Sequence, residues 1–159
     1  MVGMVGGAAF SLWSIVTMLW PVSYSAWDIG RSVLYVAFLL ALTGLAGSVA
    51  RSRQSVVRTF SSVAWNSVLA AALTLATYAM TTRFFAHRII QLPEYSLDYA
   101  YHGYTSPEVY LATNYADLLQ LQVFSWTVSV VGQVVVAGTA GWYLRRVRWL
   151  NKGVARAER

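Results

Sequence analysis

Residues 32–50 read SVLYVAFLLALTGLAGSVA, a stretch of 19 residues without a charged side chain. As an α-helix it would be about 28 Å long, at roughly 1.5 Å per residue, close to the ~30 Å hydrocarbon core of a bilayer. It is the shortest of four uncharged stretches, and the others cover residues 1–27, 59–82 and 118–144. The pattern predicts four membrane-spanning segments.

The composition supports a membrane protein. Only 11% of the residues are charged and 57% are hydrophobic, whereas soluble domains carry roughly 25% charged residues. The uncharged stretches are continuously apolar and do not alternate with polar residues, which favours helices over a β-barrel. We therefore expect an all-α integral membrane protein, a single domain over residues 1–159 built as a four-helix bundle. The predicted transmembrane helices cover residues 2–22, 32–50, 59–82 and 118–144.

The charged residues predict which way the chain faces. Nine of the twelve basic residues fall in the connection between helices 2 and 3 or in the tail 145–159, and five of the six acidic residues fall on the opposite side. The two sides then carry net charges of about +8 and about −2. Because arginine and lysine accumulate in cytoplasmic loops, we expect both termini to be cytoplasmic and the chain to lie in the plasma membrane. The basic tail predicts contacts with anionic lipid headgroups through Arg145, Arg146, Arg148 and Lys152. No folded basic face predicts nucleic-acid binding.

The first 26 residues resemble a signal peptide in their apolar character, with Ser23 and Ser25 as small residues near a cleavage point. They lack a basic leading region, and their apolar run is longer than a typical signal sequence has. We expect this segment to be retained as a helix. The absence of cysteine from the sequence excludes disulfides, thiolate metal sites and cysteine nucleophiles.

Two amides, Asn66 and Gln133, are the most costly polar groups inside the predicted spans. Both should face protein, because an unpaired amide in lipid costs several kcal/mol. Counting along the helices puts their depths roughly 7 Å apart, so we do not expect them to bond to each other. Two interpretations remain open: hydrogen bonds between helices, or a pathway or ligand site.

Tryptophans occur near the predicted membrane boundaries, as in an aromatic belt. Trp13, Trp20 and Trp27 are also seven residues apart, near one helical stripe. Pro21 should end or kink the first helix, which would interrupt that stripe. The sequence is compatible with lipid anchoring or with an aromatic seam against a partner subunit.

Residues 83–117 form the only sizeable predicted extramembrane segment, an ordered outer loop between helices 3 and 4. The loop holds six of the ten tyrosines and both histidines, and tyrosine is enriched at interfaces. We expect it to pack on the bundle or against a partner, through Tyr95, Tyr99, Tyr101, Tyr104 and Tyr110. The run Thr105-Ser106-Pro107-Glu108 predicts a helix start, from which a helix either continues into helix 4 or breaks near Asn114.

A metal site in this loop is a second hypothesis. If residues 94–102 are helical, Glu94, Asp98 and His102 share one face. Together with His87 they are acceptable ligand types for a divalent cation.

No sequence motif carries recognisable catalytic chemistry. Neither histidine lies in a predicted span where it could ligate haem, no acidic residue lies in mid-membrane, and no phosphate-binding or hydrolase motif is present. We therefore expect no cofactor and favour a non-enzymatic role. The sequence favours a non-catalytic accessory subunit of a larger membrane complex, such as a respiratory or other electron-transport assembly, with other membrane subunits as partners. Two alternatives stay open: a small homo-oligomeric channel or carrier, and a membrane enzyme or metal-binding protein that uses outer-loop carboxylates and histidines.

Overall fold

The structure, a computed structural model, describes residues 1–20, 24–53 and 55–157. Within these ranges several side chains are not described, namely those of Tyr24, Trp27, Arg53, residues 93–95, Leu97, Asp98, Ala112, residues 114–122 and residues 148–157. The described residues form helices joined by short non-helical segments, and none of them lies in a strand.

Six helices follow one another along the chain. They are α1 (Val2–Leu19), α2 (Tyr24–Arg53), α3 (Val56–Phe84), α4 (Ala86–Ile89), α5 (Pro93–His102) and α6 (Pro107–Ala157). Four of them are long and apolar enough to cross a membrane, over Val2–Leu19, Asp28–Ser52, Val56–Phe84 and Val123–Val147. The prediction of an all-helical protein with four candidate transmembrane helices is confirmed.

The end of α1 follows from local backbone preferences. The helix stops at Leu19, and Trp20 is extended, with φ −128° and ψ 142°. The residue before a proline is disfavoured in the helical region because the proline ring crowds it, and Pro21 follows Trp20 in the sequence. Pro21 itself lies outside the described residues. The seven-residue tryptophan stripe is therefore not carried on one continuous helix.

The segment that sequence analysis treats as an outer loop contains short helices. The chain forms α4, α5 and the first turns of α6 in this segment. Of the two alternatives for the helix that starts near residue 107, the structure shows the continuous one, because α6 runs unbroken from Pro107 to Ala157. Ser106 precedes it, and the Ser106 Oγ accepts a hydrogen bond from the Val109 backbone N–H at 3.2 Å.

Helices α1 and α3 run parallel and pack through glycine. A methyl group added at Gly3 would lie 2.8 Å from the Asn66 Cα, and one added at Gly7 would lie 3.1 Å from the Ala70 Cα. Both contacts advance by four residues along each helix, which fixes the parallel direction. Small residues let backbones approach this closely, and membrane helices depend on such approach for their packing.

A second close approach joins α2 and α6. A methyl group added at Gly141 would lie 2.7 Å from the Gly47 backbone nitrogen. One turn earlier on α6, the Phe60 ring of α3 rests on Gly138, at 2.8 Å from an added methyl group. Consecutive transmembrane helices alternate in direction, and the bundle core forms where all four meet.

The core is small and largely made of apolar side chains. Phe10 stands edge-on to both Phe38 and Trp126, with ring centroids 5.9 Å apart in each pair. The buried residues of this cluster are Phe10, Phe38, Leu42, Ala46, Val63, Ala70 and Ala137. Most of the remaining apolar side chains point outward, where lipid or another subunit would cover them.

The glycine contact between α2 and α6 generates a stability prediction. Gly141→Ala should lower the stability of the bundle by about 1–3 kcal/mol, because the added methyl group overpacks the contact with Gly47. Gly44→Ala is the matched control, since an added methyl group there has no neighbour within 4 Å and alanine has a higher helix propensity. Thermal unfolding in detergent measures both variants. Equal behaviour of the two would contradict a packing role for Gly141.

Candidate functional site

The most individual part of the structure is a helical cap, residues 85–111, at one end of the bundle. Its buried residues form a second apolar cluster with Met18 of α1 at its base. The members of this cluster are Met18, Ala86, Ile89, Tyr110 and Leu111. The cap is therefore anchored to the bundle and does not fold as a separate unit.

Tyrosine rings give the cap its internal order. Tyr110 is 2% exposed, and its ring lies 5.4 Å from that of Tyr99 and 5.2 Å from that of Tyr104. Both pairs are edge-to-face, the arrangement that the ring quadrupole favours. Gly103 makes this possible, because its left-handed backbone (φ 62°) ends α5 and reverses the chain.

Of the tyrosines predicted to contact a partner, the structure exposes one fully. Tyr101 is 86% exposed and stands edge-on to the exposed His102 at 5.2 Å. Tyr99 and Tyr104 are half-buried and Tyr110 is buried within the cap, while the Tyr95 side chain lies outside the described residues. Among the described side chains of the predicted interface, the exposed aromatic surface is therefore centred on Tyr101 and His102.

A contact between a histidine and a glutamate joins two helices of the cap. His87 of α4 and Glu108 in the first turn of α6 approach to 3.1 Å, between Nε2 and Oε1, and both are exposed. Hydrogen bonds from its own backbone N–H and from the Ser106 hydroxyl, with His87 beside it, lower the pKa of the Glu108 carboxyl below its ordinary value. The pair links α4 to α6.

Among the described side chains, the candidate metal ligands do not form a cluster. α5 is helical over Pro93–His102, as the hypothesis requires. His87 pairs with Glu108, and His102 lies between the rings of Tyr101 and Tyr104. The Glu94 and Asp98 side chains lie outside the described ones. Among the side chains that the structure describes, no three histidine or carboxylate groups are clustered as metal ligands would be.

The tryptophans of the predicted seam take different places. The Trp13 ring packs on Gly30 of α2, and an added methyl group at Gly30 would lie 2.9 Å from the Trp13 Cε2. Trp20 is 56% exposed, and the Trp27 side chain lies outside the described residues. Trp13 therefore makes a contact between two helices of this chain.

Asn66 joins two helices inside the bundle. Its Oδ1 accepts a hydrogen bond from the Gly3 backbone N–H at 2.8 Å, and its Nδ2 donates to the Ser62 carbonyl oxygen at 2.9 Å. The first N–H groups of a helix have no partner within the helix, so Asn66 of α3 acts as a cap for α1. A second bond between the same helices runs from Thr77 Oγ1 to Ser11 Oγ at 3.0 Å.

Gln133 is placed differently. It is 1% exposed, its Nε2 donates to Ser129 Oγ one turn earlier at 3.1 Å, and its Oε1 has no partner among the described residues. The Ser67 hydroxyl of α3 is likewise buried and without a partner there. With Phe60 resting on Gly138, the antiparallel register brings Gln133 to within about one helical turn of Ser67.

Sequence reasoning missed Ser67. Hydroxyls in helices commonly bond the carbonyl four residues back, as Thr74 does to Ala70 at 2.9 Å. Nothing in the sequence distinguishes a serine that does so from one that does not. The signal lies only in the burial of Ser67 and in the absence of a described partner.

The arginine-rich end of the bundle, called the basic end here, lies opposite the cap. The Arg145 guanidinium sits 5.0 Å from the centroid of the Trp142 ring, a cation–π geometry. Arg146 is exposed. The side chains of Arg148 and Lys152, also predicted to contact lipid, lie outside the described residues.

Comparison with protein-family models, curated proteins and solved structures finds no match for this chain.

The two amides of the bundle, Asn66 and Gln133, should respond in opposite ways to substitution by leucine. Asn66→Leu removes the acceptor for the Gly3 N–H and should lower stability by roughly 1 kcal/mol. Gln133→Leu removes a buried acceptor without a described partner and should leave stability unchanged or raise it. Thermal unfolding in detergent compares them. A loss in Gln133→Leu as large as that in Asn66→Leu would show that Oε1 has a bonding partner.

The lowered pKa of the Glu108 carboxyl predicts a pH response of the cap. Because the folded-state pKa of Glu108 is lowered, its contribution is present above the ordinary glutamate pKa and is lost as the pH falls through the lowered value. Hydrogen exchange of residues 107–111 should therefore accelerate on acidification, beyond the intrinsic pH effect. Glu108→Gln should abolish this extra response, whereas Asp28→Asn, which changes an exposed acid outside the cap, should preserve it. An unchanged response in Glu108→Gln would refute the assignment.

Proposed function

We propose that this chain is a non-catalytic accessory subunit of a larger membrane protein complex, which it joins through its apolar helix faces and its helical cap. The observation that carries the proposal is the surface of the cap. An exposed tyrosine and histidine sit on an ordered aromatic base, and binding energy concentrates at such rigid aromatic anchors. A respiratory or other electron-transport assembly is the proposed setting, as a common home for small subunits of this kind.

The apolar helix faces support a subunit role. In the transmembrane windows between 17% and 28% of the residues are buried within the chain. Large exposed side chains include Leu40, Trp65, Phe84 and Phe124. Most residues of these windows are therefore at least partly exposed on the chain alone, where lipid or neighbouring subunits can contact them.

The proposed orientation places both termini in the cytoplasm and the cap outside the plasma membrane. Helix directions alternate along the chain, so the described arginines in the last turn of α2, in the first turn of α3 and at the far end of the span in α6 gather at the basic end. These are Arg51, Arg58, Arg145 and Arg146. The positive-inside rule puts that end in the cytoplasm.

A carrier or channel remains a second candidate because of one observation. Gln133 and Ser67 each place a polar atom without a described partner in the middle of the bundle. Polar groups in that position often belong to transport pathways. Flux through liposomes that contain the purified chain alone, and its loss in Gln133→Leu, would favour this candidate over the subunit role.

Affinity capture in mild detergent tests the proposed function. The tagged wild-type chain should co-purify stoichiometrically with other membrane subunits, and haem, copper or flavin absorbance in the purified material would identify a redox assembly. Tyr101→Ala should reduce capture about tenfold or more, as expected for loss of an aromatic anchor. Tyr143→Ala is the matched control, because Tyr143 is also exposed (64%) and lies towards the basic end.

Two results would contradict the proposal. Migration of the tagged wild-type chain as a lone monomer would remove the subunit role. Equal losses in Tyr101→Ala and Tyr143→Ala would remove the cap as the docking surface.

A further inference from the structure

An apolar groove of about 520 Å³ runs between α3 and α6. Its lining is Val56, Val57, Phe60, Ser61, Ala64 and Val134. The groove thus begins at the first turn of α3, next to the basic end, and extends along the face that this chain leaves open to the bilayer. Its volume is within the range of ligand pockets.

Arginines occur on both helices of the groove, towards the basic end. Arg58 lies in the first turn of α3, next to the lining residue Val57 in the sequence, and it is exposed. On α6, Trp142 lies one turn beyond Gly138, the residue on which Phe60 rests. The Arg145 guanidinium is held 5.0 Å from that tryptophan ring. Arg58 and Arg145 thus belong to the two helices that line the groove, and both lie towards the basic end.

The charge around this end is of one sign. Arg51 and Arg146 are exposed nearby on α2 and α6. The acidic residues whose side chains are described, Asp28 and Glu108, lie towards the cap end. No described carboxylate is therefore available at the basic end to neutralise the guanidinium groups.

We propose that this groove is a binding site for one anionic phospholipid of the cytoplasmic leaflet. An acyl chain occupies the apolar channel, and the phosphate of the headgroup binds Arg58 and Arg145. Arginine forms charge-assisted, often bidentate hydrogen bonds with phosphate. The stacking of Arg145 on Trp142 orients that guanidinium before the lipid arrives, which lowers the entropic cost of binding.

A lipid fits this groove better than a protein segment does. The apolar part lies at membrane depth and the cationic part at its boundary, which matches the division of a phospholipid into chains and headgroup. A transmembrane helix of a partner would bring hydrocarbon side chains to the groove but no phosphate to the arginines. Charge complementarity thus selects an anionic lipid as the occupant.

The site depends on the membrane insertion and orientation proposed above and not on any partner subunit. A test on the purified chain therefore stands apart from the capture experiment, and either can fail while the other succeeds.

Native mass spectrometry provides the test. The chain is released from nanodiscs of equimolar phosphatidylglycerol and phosphatidylcholine, and retained lipid adducts are counted. The wild type should keep one phosphatidylglycerol molecule in at least fivefold excess over phosphatidylcholine. Arg58→Gln combined with Arg145→Gln should abolish this preference, whereas Arg83→Gln combined with Arg88→Gln, at the cap end, should preserve it.

Filling the groove tests the acyl-chain part. Val57→Trp should reduce the retained adduct about tenfold, while Val36→Trp, at an exposed valine of α2 outside the groove, should not. Ala64→Trp is a second groove variant, and thermal unfolding without phosphatidylglycerol checks that each variant is folded. A preference for phosphatidylglycerol that survives both arginine substitutions, or a retained adduct in both folded groove variants, would overturn the proposal.

Discussion

The absence of hydrogen-bond partners in the bilayer core governs this structure. Each backbone N–H and C=O inside the membrane must be satisfied by the chain itself, which restricts the spans to helices. Lipid tails are as apolar as leucine side chains, so apolar character alone does not bring helices together. Close contact between helix backbones has to hold the helices together instead. In this chain glycine provides it twice, between α1 and α3 and between α2 and α6.

The same constraint gives the two amides inside the bundle different roles. At a helix start, backbone N–H groups are left over, and Asn66 satisfies one of them across the α1–α3 contact. Gln133 has no such neighbour at its position and bonds within its own helix. The first amide is therefore part of the packing, whereas the second keeps an acceptor in the core for which packing gives no reason.

Much of the architecture could be predicted from charge positions, because a charged side chain is too costly in hydrocarbon to be hidden. The start of α6 could also be predicted from the sequence, since serine, proline and glutamate are typical of a first helical turn. The sequence did not predict which of the tyrosines would be buried. The burial of Tyr110 depends on the left-handed backbone at Gly103 and on packing in the cluster that includes Met18 of α1. The similar depth of Ser67 and Gln133 depends on the register between α3 and α6, which the contact of Phe60 with Gly138 reflects.

The pairing of α1 with α3 also orders the events of biosynthesis. The acceptor for the Gly3 N–H is Asn66, 63 residues later in the chain. While the ribosome makes α2, the glycine face of α1 has no partner to contact and lies against lipid or the insertion machinery. Only when α3 enters the membrane does the first turn of α1 gain its cap. The first turn of α1 is therefore made well before the residue that caps it.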